Sequence, residues 1–573
     1  MIHTQLVRLG LPTFLLAVMS LPAAAQSFRV QCPTSTITHP TASANNSEPA
    51  YSGPTVFTST APTAPATGYQ KPSSNVNGAI KCQQVAGGDG YATMADGTQT
   101  YMFSFGPLSG LADMSNGLPG TQFPSIFNSV YAGTLLPGDP ATTDGVVANT
   151  WPAAVTPNPT SGFTWNGAVG LAPDADQVAE CAAATGTPSA ACAALTASGG
   201  IDGHVDPRQI MDVGIMNGNI PAPLMAIDED DEFFLTLTNV GMIMRPDLFE
   251  QHTIHFHGYP NASSLYDGVP DASVAINIGG SFTYYYLAPD AGTYFWHCHI
   301  TPPEHLQMGM VGQLYVRPRQ NRVALGNSLY AALQAQQGDL RTACTAADTL
   351  CSNPLPPANN GVNQGLDKLG NPQKYVYNDG DGSTAYDVEY PIQIHGFDPN
   401  FHFVGMTFNP EGFVDMKDKY FLMNGRSYPD TVRPGPQATQ SSDGRVHYSQ
   451  PLSSIINIPA GGRALLRLSD LAVTEYQTIA SLGVPMHVVG YNAKLLRDQE
   501  GNNMDYYTNS ITIGGGESAD VILDASDAGC GSTGCAAKLY PSGSVFYVYT
   551  PNLDHLSNDA ENFGGLMTEV RIN

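Results

Sequence analysis

Short runs of alternating apolar and polar residues, each bounded by Gly, Pro, Asn or Asp, recur wherever this chain has a pattern. Glu232–Asn239 (EFFLTLTN), Ser281–Ala288 (SFTYYYLA), Gly292–His299 (GTYFWHCH) and Gly312–Pro318 (GQLYVRP) are rich in aromatic and β-branched residues, and read as strands. Tyr101–Gly106 (YMFSFG) is a fifth. Residues 26–90 are Pro, Ser, Thr and Ala-rich without periodicity, which predicts an irregular arm. A long Gly/Pro/Ala-rich insertion is expected over 107–205. Residues 319–385 read as a linker holding one helix-like piece, SLYAALQAQQ, and short strands resume from Tyr386 to the end.

The two strand-rich regions repeat one another. MNGNIPAP at Met216 answers MNGRSYPD at Met423, and FFLTLTN at Phe233 answers ALLRLSD at Ala464. HTIHFHG aligns on VPMHVVG, which puts Val484, His487 and Val489 opposite His252, His255 and His257. WHCHITPPEH answers VYTPNLDH, so Tyr549, Thr550 and Pro551 stand where His297, Cys298 and His299 do, and His555 answers His305. The reading is a duplicated β-sandwich, all-β throughout.

Composition narrows the function. With 23 Lys+Arg against 49 Asp+Glu in 573 residues, the net charge is −26 and no basic stripe exists to bind a phosphate backbone, so a nucleic-acid partner is excluded. Arg8, the apolar run Leu11–Leu21 and Ala23-Ala24-Ala25 make a cleavable leader cut after Ala25, too short to span a bilayer. A periplasmic or secreted protein follows. Cysteine usage agrees: Cys181/Cys192, Cys344/Cys351 and Cys530/Cys535 are local pairs, and Cys32 and Cys82 are left to pair with each other. The asymmetric DEDDE run at Asp228–Glu232 reads as a solvated turn before a strand, rather than a cation port.

Of nine cysteines Cys298 is left over, and it lies between two histidines. Side chains alternate faces along a strand, with i and i+2 about 6–7 Å apart. His255 and His257 therefore share one face while His252 takes the other; likewise His297 and His299 share a face that Cys298 avoids. If the two strands are neighbours, four imidazoles gather on one side and His252 with Cys298 on the other. His305 and Met310 lie downstream on a loop able to close over the second group. Two imidazoles, a thiolate and a weak thioether suit a mononuclear blue copper better than zinc, and the four imidazoles opposite suit further copper. The isolated His395, His402 and His487 read as structural.

HTIHFHG, then DGVP at Asp267–Pro270, SFTYYY, AGTYFWHCH and HLQMGM resemble the cupredoxin domains of multicopper oxidases. The resemblance covers Val213–Pro318 well and Tyr386–Asn573 as a degenerate repeat. It implies two cupredoxin-like Greek-key β-sandwich domains: a copper-binding one at 91–318, carrying the insertion, and one at 386–573 that lacks most ligands. By resemblance His252, Cys298, His305 and Met310 are type 1 copper ligands, and His255, His257, His297 and His299 face a type 2/type 3-like copper cluster. Asp267 stands where the family has an acid that relays protons. The implied activity is oxidation of a small reductant, a phenol or Mn(II), Fe(II) or Cu(I), with O2 as acceptor and Cys298 as the electron bridge. Two departures matter. The loop ITPPE between His299 and His305 is longer than is usual in the family, and the second domain supplies few histidines to complete a cluster. A homo-oligomer that shares the site, a nitrite-reductase-like arrangement with fewer coppers, and a non-catalytic cupredoxin stay open as alternatives.

Overall fold

The structure is a computed structural model that describes residues 36, 38–41, 48–57, 72–107, 220–336, 354–357 and 361–573, apart from short interruptions. The expected leader, the insertion, Cys32, Cys181, Cys192, Cys344, Cys351 and the Cys82 side chain lie outside the described residues. Strands carry nearly all regular structure, and the described helices span at most eight residues. The chain is all-β.

In the first half, β1 (Ile80–Thr93), β2 (Gln99–Pro107), β3 (Met225–Asp228), β4 (Glu232–Gly241), β5 (His255–His257), β6 (Ser281–Leu287), β7 (Gly292–His297) and β8 (Val311–Arg317) form two sheets, ordered β2-β1-β4-β6 and β3-β8-β7-β5. The irregular arm therefore ends earlier than 90. The run IKCQQVAGGDGYAT is Gly- and Gln-rich and looks weak as a strand, but it lies between β2 and β4, which supply its hydrogen bonds on both edges. Phe233, Leu235 and Leu237 of β4, Trp296 of β7 and Leu314 and Val316 of β8 fill the space between the sheets. Each such side chain contributes about 1.5–3 kcal/mol on burial.

The second half repeats the plan with β9 (Val388–Phe397), β10 (Tyr420–Met423), β11 (Ile456–Ile458), β12 (Arg463–Asp470), β13 (Gln477–Leu482), β14 (Met486–Tyr491), β15 (Ser510–Ile513), β16 (Ser518–Asp524), β17 (Val545–Tyr549) and β18 (Met567–Ile572). One sheet runs β10-β9-β12-β16-β14, the other β11-β18-β17-β13-β15. Strand directions match unit for unit: β1 is parallel to β4 as β9 is to β12, and β3 is parallel to β8 as β11 is to β18. One alignment is corrected. β5 pairs with β7, but VPMHVVG lies on β14, which pairs with β16 in the other sheet; the strand that pairs with β17 is β13. The counterparts of the β5 histidines are therefore in Gln477–Leu482. Similar residue types misled the alignment, because strand pairing is set by the sheet rather than by local composition.

A buried polar network joins the two units. Arg467 is wholly buried, ion-pairs with Glu389 at 3.0 Å and Asp520 at 3.5 Å, and lies over the Tyr315 ring at 4.5 Å. The Thr293 hydroxyl donates to Asp520 at 2.6 Å, and Gln313 Nε2 donates to the Arg467 carbonyl at 2.9 Å. Burial alone would push the Glu389 carboxyl up, but Arg317 and Arg467 hold it down at about 2. Strand β7 is thus set against the second unit. The DEDDE turn is also not solvated: Asp228, Glu229 and Asp231 are buried. Arg319 and Arg322 reach Asp230 at 3.0 and 3.1 Å, and the Arg319 backbone N–H donates to Glu229 at 2.7 Å, so the run fastens β3 and β4 to the chain leaving β8. Cys530 and Cys535 form a disulfide, while Cys298 is a buried free thiol.

Candidate metal centre

Strands β5 and β7 are antiparallel neighbours, with His255 opposite His297 and His257 opposite Phe295. Cys298 and His299 lie just past the end of β7, yet the alternation persists: Cys298 joins the core and His299 turns to the His255 side. Two groups of ligating atoms result. His252, Cys298 and His305 each bring one such atom within 4.8 Å of the others; so do His255, His257 and His297.

The first group is enclosed. His252, Cys298, His305 and Met310 are all essentially inaccessible. Phe103 meets His305 edge-on at 5.1 Å, and Phe105 stacks on Trp296 at 5.3 Å, which keeps water out. The long ITPPE loop is accommodated by a helical turn, α1 (Pro302–Gln307), which carries His305 inward. Its Nδ1 comes to 3.4 Å from the Cys298 sulfur, and the Thr253 N–H reaches that sulfur at 3.5 Å. Met310 N–H donates to the His305 carbonyl, and Cys298 N–H to the Met310 carbonyl, so the three residues lock together in backbone. Both ring nitrogens of His252 are buried without a partner. Burial holds this imidazole neutral, well below its usual range. An unpartnered buried nitrogen costs about 1–3 kcal/mol, a cost that a metal ion at this point would remove. Burial lowers His305 too, but the Cys298 thiol and Glu250 outweigh it and raise it to about 9. Glu250 lies 3.5 Å from the outer nitrogen, Nε2.

In the second group every imidazole is oriented by main chain. His255 Nδ1 donates to the Asp267 carbonyl at 2.7 Å, and His297 Nδ1 donates to the Cys298 carbonyl at 2.6 Å. His257 hydrogen-bonds the Gly516 backbone, with its Nδ1 edge toward that residue. Each ring therefore turns a lone pair at Nε2 toward the others, and the Nε2 atoms of His257 and His297 face each other at 2.9 Å. Lone pairs so placed repel unless a cation or proton sits between them, and the donor set is that of an imidazole-rich copper or zinc site. Burial, opposed by the bond to Cys298 and reinforced by the neighbouring rings, pushes His297 down to about 3. His299 stands beside the three, its ring 5.2 Å from that of His255 and 5.5 Å from that of His297. Asp267 is delivered to His255 by a turn that closes on Gly268 at φ +79°, where a Cβ would collide with the Ile254 carbonyl. Its carboxylate lies 3.6 Å from His255 Nδ1.

The second unit repeats the outline of the first group with other side chains. By pairing register, Gln477 answers His252, Thr550 answers Cys298, His555 answers His305 and Leu566 answers Met310. The backbone bonds recur: Thr550 N–H donates to Leu566 O, and Leu566 N–H to His555 O. The surroundings recur as well. His555 contacts Gln477 at 2.8 Å and Glu475 at 2.6 Å, where Glu475 stands two residues before Gln477 as Glu250 does before His252. Glu250 was missed from sequence, and this repeated spacing was the signal for it. His395, His402 and His487 reach neither group. His487 pairs with Asp505 and stacks on Tyr507, and the other two contact α1. Among the described residues the second unit brings no imidazole to the polyhistidine face; a cavity of about 470 Å³ there is walled by His257, Phe295, Glu475, Tyr476 and Gly514–Glu517.

The β-sandwich of the first unit thus encloses two imidazoles, a thiol and a thioether, a donor set that suits a mononuclear copper ion. Residues 202–321 match the family model for multicopper oxidases. Over 128 residues the chain is 32% identical to laccase abr2 of Aspergillus fumigatus, covering 22% of this chain and 20% of that protein. Over 119 residues it is 34% identical to a copper-containing nitrite reductase of Rhizobium meliloti, covering 20% of this chain and 28% of that one. The chain thus spans between a sixth and a third of the length of such relatives. Among solved structures, the blue copper oxidase of Nitrosomonas europaea aligns over 62% of this chain and 78% of its own at 21% identity, with a TM-score of 0.38.

Proposed function

We propose that the chain is an exported copper-dependent oxidoreductase resembling multicopper oxidases, taking single electrons from a small reductant and passing them to O2. The observation that carries this reading is the presence of two ligand sets on opposite sides of one strand end, joined by the peptide between Cys298 and His297. Copper, when bound, supplies one-electron redox chemistry at the thiolate set and an acceptor position at the imidazole set. His252, Cys298, His305 and Met310 would hold the first ion, and His255, His257 and His297, with His299 beside them, the second site. His305 turns its outer edge to Glu250, which is one-third exposed, so a phenol or a Mn(II), Fe(II) or Cu(I) donor meets the protein there. Cys298 carries the electron to His297 through the bond already formed between the His297 ring and the Cys298 carbonyl. Asp267 holds a proton source beside His255. The leader Met1–Ala25 directs export, and the two sandwiches serve as a copper domain, extended back to Ile80, and a domain lacking most ligands.

A second reading has fewer coppers, as in nitrite-reductase-like enzymes, with a neighbouring subunit completing the imidazole site. Convergence of three imidazoles, with none contributed by the described second unit, favours it. Copper counting with oxygen-consumption assays on copper-loaded protein tests both. Four coppers per chain with oxygen uptake supports the first; two, with uptake of nitrite instead, supports the second. Copper at the thiolate set alone, with neither uptake, leaves an electron carrier and refutes both.

A further inference from the structure

Two histidines of the ligand-poor second unit converge on the helical turn that carries His305. We propose that His395 and His402, with Asp418, are positioning residues that hold the His305–Met310 ligand loop through Gln307, so that the second unit sets the geometry of the first unit's metal site. The inference rests on the reading that His252, Cys298, His305 and Met310 hold copper.

Gln307 lies two residues after His305 and three before Met310, and is wholly buried. Its side-chain amide and its carbonyl are taken up across the boundary between units. Its Nε2 donates to Asp418 Oδ1 at 2.6 Å. Its Oε1 accepts from His402 Nε2 at 2.7 Å and from the Asp398 N–H at 3.3 Å, and the backbone donor fixes which end of the amide is oxygen. Its carbonyl faces His395 Nε2 at 3.1 Å, and His395 Nδ1 lies 3.1 Å from the Leu471 carbonyl. The partners are themselves held. The His402 ring stacks on Phe397 at 5.2 Å and 11°, and Asp418 Oδ2 accepts from the Thr474 hydroxyl at 2.5 Å.

A six-residue helical turn has little stability of its own. Within the first unit, the turn and its exit are tied by backbone bonds and by Ser104 donating to the Gly309 carbonyl. The Gln307 contacts come from residues of the second unit, so they tie the turn to a framework outside its own sheets. Metal ligands must be held to within about 0.5 Å of their working geometry, and His305 and Met310 flank this anchor on either side. Residues that orient a ligand without touching the metal commonly alter affinity by about 10–100-fold. The arrangement explains why two histidines outside both groups are buried where a histidine is costly to bury.

The test compares His402→Phe, which keeps the ring stack and loses the donor, with His402→Gln, which keeps a donor of similar reach, and with Gln307→Leu. In metal-free protein, the labelling rate of the buried Cys298 thiol reads opening of the loop. In copper-loaded protein, the optical and paramagnetic signature of the thiolate-bound copper and its reduction potential read ligand geometry. His402→Phe and Gln307→Leu are expected to label about tenfold faster and to shift both signature and potential, with His402→Gln close to native. Native values in His402→Phe and Gln307→Leu, or equal perturbation in His402→Gln and His402→Phe, would overturn the proposal. If a variant does not fold, hydrogen exchange on the native chain decides: slow exchange of the His305–Met310 amides, matching the core strands, supports the anchor, and fast local exchange refutes it. Should native protein take up no copper at Cys298, the copper reading fails while the labelling series still judges the anchor.

Discussion

Gly87 on β1 offers a direct test of the packing that holds His252. A Cβ placed on Gly87 would lie 2.6 Å from His252 Cδ2 and 3.2 Å from Cγ. Ordinary contact begins near 3.4 Å, so Gly87→Ala requires the imidazole to retreat by about 0.8 Å, more than the roughly 0.5 Å that a preorganised ligand tolerates. The ring has nowhere to go: it is fully buried, 5.5 Å from the His305 ring and edge-on to Phe105. Overpacking of this kind costs about 1–3 kcal/mol. The substitution is therefore expected to lower the denaturation midpoint of metal-free protein and to weaken copper at the thiolate set by tenfold or more, with a displaced or absent blue band. Gly365→Ala, where no atom lies within 4 Å of the new methyl, is the control. Competitive copper titration with optical and paramagnetic spectra measures the effect. Native affinity and a native spectrum in Gly87→Ala would show that His252 is not held against β1 as a ligand, and the reasoning would fail.

Other outcomes follow from the same geometry. Cys298→Ser should abolish the blue absorption and turnover with any reductant, whereas His255→Ala should keep the blue band yet lose steady oxidation and bind copper on its own face more than tenfold more weakly; equal spectra in the two variants, or native turnover in His255→Ala, would refute the assignment of the faces. Combining Gln477→His, Thr550→Cys and Leu566→Met should create a second blue copper in the second unit, seen as a rise in copper content and blue absorption that is lost when Thr550 is left unchanged; no gain would mean that the two sites are not equivalent. Glu389 has a folded value of about 2, below its ordinary 4.5, so its contribution to the union of the two units is fully present above pH 4.5 and lost as the pH falls through 2. Denaturation midpoints across that window should fall more steeply for native protein than for Glu389→Gln, and parallel profiles would count against the network.

The grouping of the histidines around Cys298 was legible because it is written locally. His252, His255 and His257, with Cys298 flanked by His297 and His299, lie within two short strands, and period-two alternation sorts them to two faces with no knowledge of the fold. The repeat of FFLTLTN in ALLRLSD and of WHCH in VYTP likewise survives as linear pattern. What failed were inferences that depend on which strands meet. VPMHVVG looks like HTIHFHG, but hydrogen bonding in the other sheet gives that position to Gln477–Leu482. Ile80–Thr93 has little strand propensity and is a strand because β2 and β4 flank it. Asp228–Glu232 reads as a solvated turn, but arginines from beyond β8 make its burial favourable. Sequence by itself determined the all-β class, the duplicated plan and the opposed grouping of the histidines and Cys298, since these follow from side-chain alternation. Only the tertiary structure decided that the second unit repeats the outline of the Cys298 group and that Gln307 is held across the units, because these depend on contacts between residues 78 to 111 positions apart, which no local period encodes.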